Sequence, residues 1–279
     1  MTHPLSVAQA LQGLRAQGLS SLTAQRLLLR ALGEPLEARA WLLSHDHHVL
    51  PTHQRLALQA MAARVAQGEP LAYVLGEAGF WDLTLRVTNA VLIPRPDTET
   101  LAEWALELCP SNLSIRVADL GTGSGALALT LAQQRPQAQV WAVERSPTAM
   151  AVAQFNANAL GLPLRWALGH WWDALPDTLR FDLVVSNPPY IAQGDSHLTA
   201  LSAEPVAALV AGHDGLDDIR RIVAGARPRL RAGAWLLLEH GHDQAQAVAN
   251  LLQAQGFHTV TTRHDMAGRP RCTGAQSPG

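Results

Sequence analysis

Apolar residues recur at three- and four-residue spacing through the first part of the chain, up to about residue 67. This spacing is typical of amphipathic helices, and four segments carry it: 6–17, 22–32, 35–43 and 52–67. Gly33 is placed to end the second helix, and Pro35 suits the first turn of the third. Short helices with short loops predict a small helical bundle over residues 1–70.

The pattern changes in residues 71–94. FWDLTLRV alternates between apolar and polar positions, and VTNAVLI follows across a Thr-Asn turn signal. This arrangement predicts a β-hairpin, with one strand on each side of Thr88-Asn89. We expect the hairpin segment, 71–94, to be a linker between two domains.

From residue 95 to 279 short apolar strands alternate with helical segments. The predicted strands are 115–120, 139–143, 164–168, 181–186, 234–239 and 257–261, and the main predicted helices are 124–134, 147–160, 216–226 and 243–255. Such alternation predicts an α/β domain with a mostly parallel sheet covered by helices on both faces. Ligands of such sheets bind outside the carboxyl ends of the strands.

Composition narrows the classes of protein that fit. Hydrophobic residues make up 48% of the 279 residues, which excludes a disordered chain. The formal net charge of −2 provides no global attraction to nucleic acid. All 21 basic residues are arginine, so chemistry that needs a lysine is excluded. With no membrane-length apolar run and no signal-peptide profile, we expect a cytoplasmic protein without membrane contact.

Two smaller features have ordinary interpretations. Cys109 and Cys272 lie far apart in the sequence and are predicted to be buried thiols. The histidine-rich stretch at residues 44–48 lacks a partner segment, so we interpret it as a solvated loop and predict no metal site.

The first chemical motif is Asp119-Leu120-Gly121-Thr122-Gly123-Ser124-Gly125-Ala126, which follows a predicted strand. Its glycines allow a tight turn and a close approach by a ligand, and the next helix offers free N–H groups to an anion. Glu144 ends the following strand, where a carboxylate can accept both hydroxyls of a ribose. The motif predicts a nucleoside with a negatively charged tail, but it fits NAD as well as S-adenosylmethionine.

The second motif, Asn187-Pro188-Pro189-Tyr190, directly follows the apolar strand FDLVV and Ser186. The prolines stiffen the backbone and cannot donate hydrogen bonds. The Asn187 side chain and the Pro188 carbonyl can each accept one N–H of a planar amino group, while Tyr190 stacks on its plane. A rigid turn alone would explain the prolines but not the asparagine and tyrosine together.

Both motifs, together with longer stretches, resemble the PrmC/HemK family of protein-(glutamine-N5) methyltransferases. The further stretches are EPLAYVLGEAGFWDLTLRV, LIPRPDTETL, SNPPYI, EP and LLLEHG. The resemblance implies a class I S-adenosylmethionine-dependent methyltransferase domain, with a Rossmann-like seven-stranded sheet, behind a helical substrate-recognition domain. It also implies methylation of the glutamine in the Gly-Gly-Gln motif of peptide chain release factors 1 and 2, with S-adenosylhomocysteine as product.

The resemblance assigns roles to individual residues. The S-adenosylmethionine site is expected at Gly121, Thr122, Gly123, Ser124, Gly125, Glu144, Trp171 and Asn187. Substrate is expected at Asn187, Pro188, Pro189 and Tyr190, with Asn187, Pro188 and Tyr190 taking part in catalysis. His170 stands where the family has an acid, and Trp172 makes the position of the adenine contact ambiguous by one residue. The family pattern is only partly kept after Arg271, which suggests a frayed final strand.

Several alternatives stay open at this stage. The NPPY chemistry also suits an exocyclic amine of DNA or RNA, or a glutamine on a ribosomal protein. An NAD oxidoreductase fits the glycine loop but leaves NPPY unexplained, and a non-catalytic binding module would not need both motifs. Pro94-Arg95-Pro96-Asp97 forms a predicted rigid turn bordering the cleft, with Asp97 as the N-cap of the next helix.

Overall fold

The computed structural model describes residues 5–278. It divides into two compact units, with the boundary between Gly76 and Glu77. No helix among the described residues has the length and apolar character that crossing a bilayer would require.

The first unit is a helical bundle, as predicted. Its helices are α1 Val7–Ala16, α2 Ser21–Leu32, α3 Arg39–Ser44, α4 Thr52–Ala66 and α5 Leu71–Leu75. Ser6 caps α1 in a reciprocal capping box with Gln9, and Gly33 ends α2 in the left-handed conformation. Leucines of α2 fill the centre of the bundle's own apolar core.

Two details of this unit differ from the prediction. Helix α3 begins at Arg39 because residues 35–38 form a turn, in which the Ala38 N–H donates to the Pro35 carbonyl at 3.0 Å. The short helix α5 lies inside the segment predicted to be a linker, between Pro70 and the left-handed Gly76.

The hairpin exists, but its turn lies earlier than predicted. Strands β1 Glu77–Phe80 and β2 Leu83–Arg86 pair antiparallel around Trp81-Asp82, and Trp81 adopts a positive φ of 53° there. Residues 87–93, all of which the structure describes, form no strand, contrary to the prediction. Phe80 and Leu85 are buried in the core of the second unit, so the hairpin belongs to that unit rather than standing apart as a linker.

The second unit contains the predicted seven-stranded sheet. Its strands are β3 Arg116–Leu120, β4 Gln139–Glu144, β5 Arg165–Leu168, β6 Phe181–Ser186, β7 Leu230–Glu239, β8 His258–His264 and β9 Pro270–Gln276. The order is β5-β4-β3-β6-β7-β9-β8, and β9 runs opposite to the other six strands, antiparallel to both β7 and β8. The prediction of a frayed final strand is wrong, because β9 lies between β7 and β8 with most of its residues buried.

Helices cover both faces of this sheet. They are α6 Glu99–Leu108, α7 Ala126–Gln134, α8 Pro147–Leu160, α9 Asp217–Ala226 and α10 Ala245–Ala254. Two separate apolar clusters result, one containing residues of α6 and α7 and the other residues of α9 and α10. Cys109 and Cys272 are free, buried thiols, as predicted, and both belong to the first cluster.

The sheet order brings three strand ends together. Leu120 at the end of β3 is in register with Val143 of β4 on one side and with Ser186 of β6 on the other. The glycine turn, Glu144 and Asn187 therefore emerge side by side at the carboxyl edge. This is the position where open α/β sheets bind their ligands.

Candidate active site

A cavity of about 170 Å³ opens at this carboxyl edge. Its walls come from the glycine turn, the end of β4, the turn after β5, the segment after β6 and residues 90–98. A smaller cavity adjoins it and shares Leu92, Arg95, Asn187 and Ala208 in its lining. Residues from both predicted motifs meet here.

The glycine turn owes its shape to its backbone. Gly121, Gly123 and Gly125 have φ values of 78°, 56° and 88°, which side-chain-bearing residues rarely adopt. A Cβ on Gly121 would lie 3.0 Å from the Trp171 ring, and Gly125 begins α7 as its N-cap. A Cβ on Gly123 would meet no atom within 4 Å, so this glycine borders open space.

Glu144 is a buried carboxylate held by backbone donors. Its Oε2 accepts the Gly123 N–H at 3.0 Å, and its Oε1 accepts the Ser146 N–H at 2.9 Å. Each carboxylate oxygen has a second lone pair, so this anchoring leaves acceptor capacity at the cavity wall. The carboxylate thus has a fixed orientation beside the glycine turn.

Asp119 is a second carboxylate in the wall, and the sequence interpretation gave it no role. Its side chain is 1% exposed, and its Oδ2 accepts the Thr122 hydroxyl at 2.6 Å and the Ala128 N–H at 3.2 Å. Its Oδ1 is buried and has no hydrogen-bond partner among the described residues. Burial raises the pKa of Asp119 to about 7, although both hydrogen bonds oppose the shift.

The structure separates the two adjacent tryptophans. Trp171 lines the cavity, and its indole N–H donates to Asp218 Oδ1 at 3.1 Å. Trp172 instead packs in the core beneath α9, where its indole N–H donates to the Ile222 carbonyl at 2.8 Å. His170 lines the cavity too, with its Nε2 lying 3.8 Å from Asp218 Oδ1.

The Asn187-Pro188-Pro189-Tyr190 segment crosses between the two cavities. Asn187 lines both, Pro189 lines the larger and Tyr190 the smaller, whereas Pro188 is buried outside either lining. The Asn187 side-chain amide donates to Thr98 Oγ1 at 3.1 Å. The Tyr190 hydroxyl donates to Glu239 Oε1 at 3.4 Å, and burial raises the pKa of Tyr190, which keeps it neutral.

Of the predicted border Pro94-Arg95-Pro96-Asp97, Pro94 and Arg95 line the larger cavity, and Asp97 does not cap α6. The cap position belongs to Thr98, and the Asp97 carboxylate pairs with Arg271 at 3.0 Å. Arg95 forms an ion pair with the buried Glu204, whose Oε2 also accepts the Ile93 N–H at 3.1 Å. The Glu-Pro pair at 204–205 therefore ties the loop after β6 to this border.

Comparison with known proteins decides the family. The PrmC N-terminal domain matches residues 7–76, and the Methyltransferase small domain matches residues 99–212. The release factor glutamine methyltransferase of Xylella fastidiosa (strain Temecula1) is 46% identical over 97% of this chain and 98% of its own. That of Burkholderia pseudomallei is also 46% identical, over 98% of each chain. The chain belongs to the release factor glutamine methyltransferase family.

Solved structures agree with this family on the fold. A T. thermophilus 16S rRNA methyltransferase in complex with AdoMet and guanosine aligns with a TM-score of 0.53 at 23% identity, over 72% of this chain and 49% of that one. A methyltransferase from Pyrococcus furiosus aligns with a TM-score of 0.55 at 15% identity, over 79% and 100%. At such identities the similarity concerns the fold, and it confirms the predicted class I S-adenosylmethionine-dependent methyltransferase architecture.

Besides Asp119, three polar residues near the cavities had no role assigned from the sequence. Thr98, Glu204 and Glu239 all lie inside quoted family stretches, yet none had an assigned role. Each is buried, but only Glu239, which directly follows three leucines, carried a sequence signal, a polar residue at the end of an apolar strand. Their partners lie far away in sequence and could not be read from spacing.

Proposed function

We propose that this methyltransferase transfers a methyl group from S-adenosylmethionine to the side-chain amide nitrogen of the glutamine in the Gly-Gly-Gln motif of release factors 1 and 2. The observation that carries the proposal is the 46% identity over nearly the whole chain to proteins named for this activity. The Asn187-Pro188-Pro189-Tyr190 segment at the cavity supports it, because its acceptors and its aromatic ring suit a planar amide.

The cavity residues fit S-adenosylmethionine. The glycine turn at residues 121–125 leaves room beside Gly123, where a Cβ would meet no described atom within 4 Å, and the N-terminus of α7 follows, its positive dipole end suited to a carboxylate although Asp119 already holds the Ala128 N–H. Glu144 keeps acceptor capacity for ribose hydroxyls, and Asp119 Oδ1 is a buried acceptor that finds no partner in the part of the chain that the structure describes. Trp171 offers an apolar surface for the adenine ring.

The bound cofactor supplies an activated methyl group on a sulfonium. An amide nitrogen is a poor nucleophile because its lone pair is delocalised into the carbonyl. Asn187 lines both cavities, and its Oδ1, accepting one amide N–H, favours the positive charge that develops on the nitrogen during attack; Pro188, expected from the sequence as the second acceptor, lies outside both linings. Positioning supplies most of the rate, and the proton leaves after methyl transfer.

The helical unit is proposed to recognise the release factor. It has its own apolar core, and the described residues that line the two cavities all lie between Phe80 and Leu209. Removing residues 1–76 should leave cofactor affinity nearly intact and raise the KM for release factor. If the remaining chain methylates release factor as efficiently as the full protein, this role is wrong.

The function is tested by methyl transfer from tritiated S-adenosylmethionine. Purified release factors 1 and 2, ribosomes, DNA and RNA serve as parallel acceptors, and mass spectrometry locates the modified residue. We expect one methyl group on the Gly-Gly-Gln glutamine and none on a release factor carrying asparagine there. Labelled ribosomal protein or nucleic acid without labelled release factor would contradict the proposal. The net charge of −2 supports a protein substrate over nucleic acid.

A further inference from the structure

A buried side chain of α8 holds the glycine turn from outside the cavity. Asn156 is only 2% exposed, and its Nδ2 donates to the Ser124 carbonyl at 2.8 Å. Ser124 lines the larger cavity and directly precedes Gly125, the N-cap of α7. A side chain 32 residues away in the sequence therefore restrains the backbone of the cavity wall.

The same side chain also binds the end of the hairpin. Asn156 Oδ1 accepts the Arg86 N–H at 2.8 Å, and Nδ2 donates to the Arg86 carbonyl at 3.1 Å. Paired strands exchange the same two bonds, so the amide binds β2 as a residue of a neighbouring strand would. Asn156 thus joins the hairpin to the glycine turn through three hydrogen bonds.

The chemistry of the amide leaves it a single orientation. An asparagine side chain has two N–H donors and one carbonyl oxygen. The two donors of Asn156 meet the carbonyls of Ser124 and Arg86, and its oxygen meets an N–H. Turning the amide over would set its oxygen against two carbonyls and would lose all three bonds. A carboxylate has no donor, so aspartate at this position can keep only the bond from the Arg86 N–H.

The face of α8 that carries Asn156 also packs against the turn. Ala149, Ala153 and Asn156 are separated by four and three residues, so they lie on one face of the helix. Ala149 lines the larger cavity, and a Cβ on Gly125 would lie 3.4 Å from the Cβ of Ala153. Two small side chains let α8 approach the turn, and Asn156 supplies the polar contact on the same face.

We propose that Asn156 is a positioning residue for the cofactor site, which keeps the glycine turn in the conformation that binds S-adenosylmethionine. Without its donors the turn has fewer restraints and populates other conformations. The apparent affinity of a ligand falls with the fraction of protein that is competent to bind it, so the loss appears in the dissociation constant. Saturating cofactor restores the bound conformation, and kcat changes less. The inference rests on the place given to the cofactor in the proposed function.

The first test compares Asn156→Asp with Asn158→Asp. Aspartate keeps the shape of asparagine but loses both donors, so the Ser124 carbonyl loses this partner. Asn158 is exposed on the same helix, and its substitution adds the same charge on the outer side. By calorimetry, the dissociation constant of S-adenosylhomocysteine should rise about 10-fold or more in Asn156→Asp and stay near the wild-type value in Asn158→Asp. The KM for S-adenosylmethionine should rise in parallel, whereas kcat at saturating cofactor and release factor should fall less.

A second pair of variants tests the contact from the hairpin. Arg86→Pro removes the N–H that Asn156 accepts, whereas Arg86→Ala keeps it. Alanine also removes the guanidinium that lies 4.5 Å from the centre of the Phe155 ring, so this variant measures the loss of the side chain by itself. We expect proline to raise the dissociation constant about 3- to 10-fold, as for loss of one buried hydrogen bond, and alanine to have a smaller effect. Equal effects of proline and alanine would contradict the role of the backbone contact.

Thermal unfolding of every variant separates positioning from stability. If Asn156→Asp unfolds at a lower temperature but binds S-adenosylhomocysteine as tightly as Asn158→Asp, the contact is purely structural and the inference fails. If Asn156→Asp does not fold, the two Arg86 variants decide. If Arg86→Pro does not fold either, the contact serves folding rather than the cofactor site, and the inference is overturned.

The outcomes also separate this inference from the proposed function. If wild type methylates release factor while the two aspartate variants bind S-adenosylhomocysteine equally, the inference fails and the function stands. If wild type modifies another substrate of the panel, the function fails, and the ratio of the two dissociation constants still decides the inference. A wild-type protein that does not bind S-adenosylhomocysteine overturns both.

Discussion

The glycine turn after β3 and the Asn187–Tyr190 segment after β6 lie at neighbouring strand ends, yet they are held by different means. The glycine turn takes its shape from three positive φ angles and from amides that donate to Val143 one strand away. The segment after β6 is oriented by side chains from elsewhere, since Thr98 lies 89 residues from Asn187 and Glu239 lies 49 residues from Tyr190.

This difference teaches how the two halves of the site respond to substitution. A turn defined by backbone conformation tolerates few residue types at its own positions. A segment oriented through hydrogen bonds depends on the proton arrangement of its partners. We therefore expect changes in the turn to act on cofactor affinity and changes around the segment to act on kcat.

The largest expected effect concerns Gly123, the glycine that borders open space. Gly123→Val puts a branched side chain into that space, so we expect no detectable S-adenosylhomocysteine binding by calorimetry. Gly161→Val is the matched control, because Gly161 ends α8 with a φ of 66° and a Cβ there also meets nothing within 4 Å. Both variants should lose about 1–3 kcal/mol of stability through backbone strain. Equal cofactor affinity in the two variants would break the comparison.

The next-largest expected effect is on kcat, the rate of methyl transfer. Asn187→Ala removes the acceptor that we propose for the substrate amide, and we expect kcat to fall by about 10²-fold or more, as for loss of one preorganised polar group. Single-turnover methyl transfer at saturating cofactor and substrate measures it, with Asn187→Asp retaining more activity than alanine because a carboxylate still accepts. A near-normal rate for Asn187→Ala would leave the mechanism without its central residue.

Glu144→Ala should weaken S-adenosylhomocysteine binding by about 1–3 kcal/mol, the cost of losing a buried hydrogen-bond acceptor. The substitution also removes the acceptor of the Gly123 N–H, so we expect it to act on the glycine turn. Calorimetry measures the affinity, and kcat at saturating cofactor should change less than the affinity does. Unchanged binding would show that the ribose does not use this carboxylate.

The last effect, on a different quantity, is on the pH dependence of stability. The pKa of Asp119 rises from 3.8 to about 7 in the folded protein, so the folded state binds this proton more tightly than the unfolded chain. The resulting stabilisation is full below about pH 4 and is lost as the pH rises through about 7. The free energy of unfolding of wild type relative to Asp119→Asn should therefore fall between these values and be constant above them. Urea unfolding from pH 4 to pH 9 measures it, and a difference that increases with pH contradicts the assignment.

Local patterns were enough to predict most elements of the fold. Helix α8 and strand β6 have the predicted bounds, because Ser146 and Gly161 cap the helix and a continuous apolar run marks the buried strand, and both signals lie in neighbouring residues. The predicted hairpin turn at Thr88-Asn89 was wrong because packing placed Leu83 and Leu85 together in the core and left Trp81-Asp82 at the turn. The final strand was underestimated because its stability comes from two neighbouring strands rather than from its own composition.

The sequence by itself determined the order of strands and helices, the glycine turn and the four residues that follow β6, because each depends on conformational preferences within a few residues. Only the tertiary structure decided which tryptophan faces the cavity, that Asp97 pairs with Arg271 instead of capping a helix, and that Asn187 donates to Thr98 while Tyr190 donates to Glu239. These contacts join residues far apart in the chain. Such pairings leave no periodic signal, since a buried polar group needs a partner in space, not at any particular spacing along the chain.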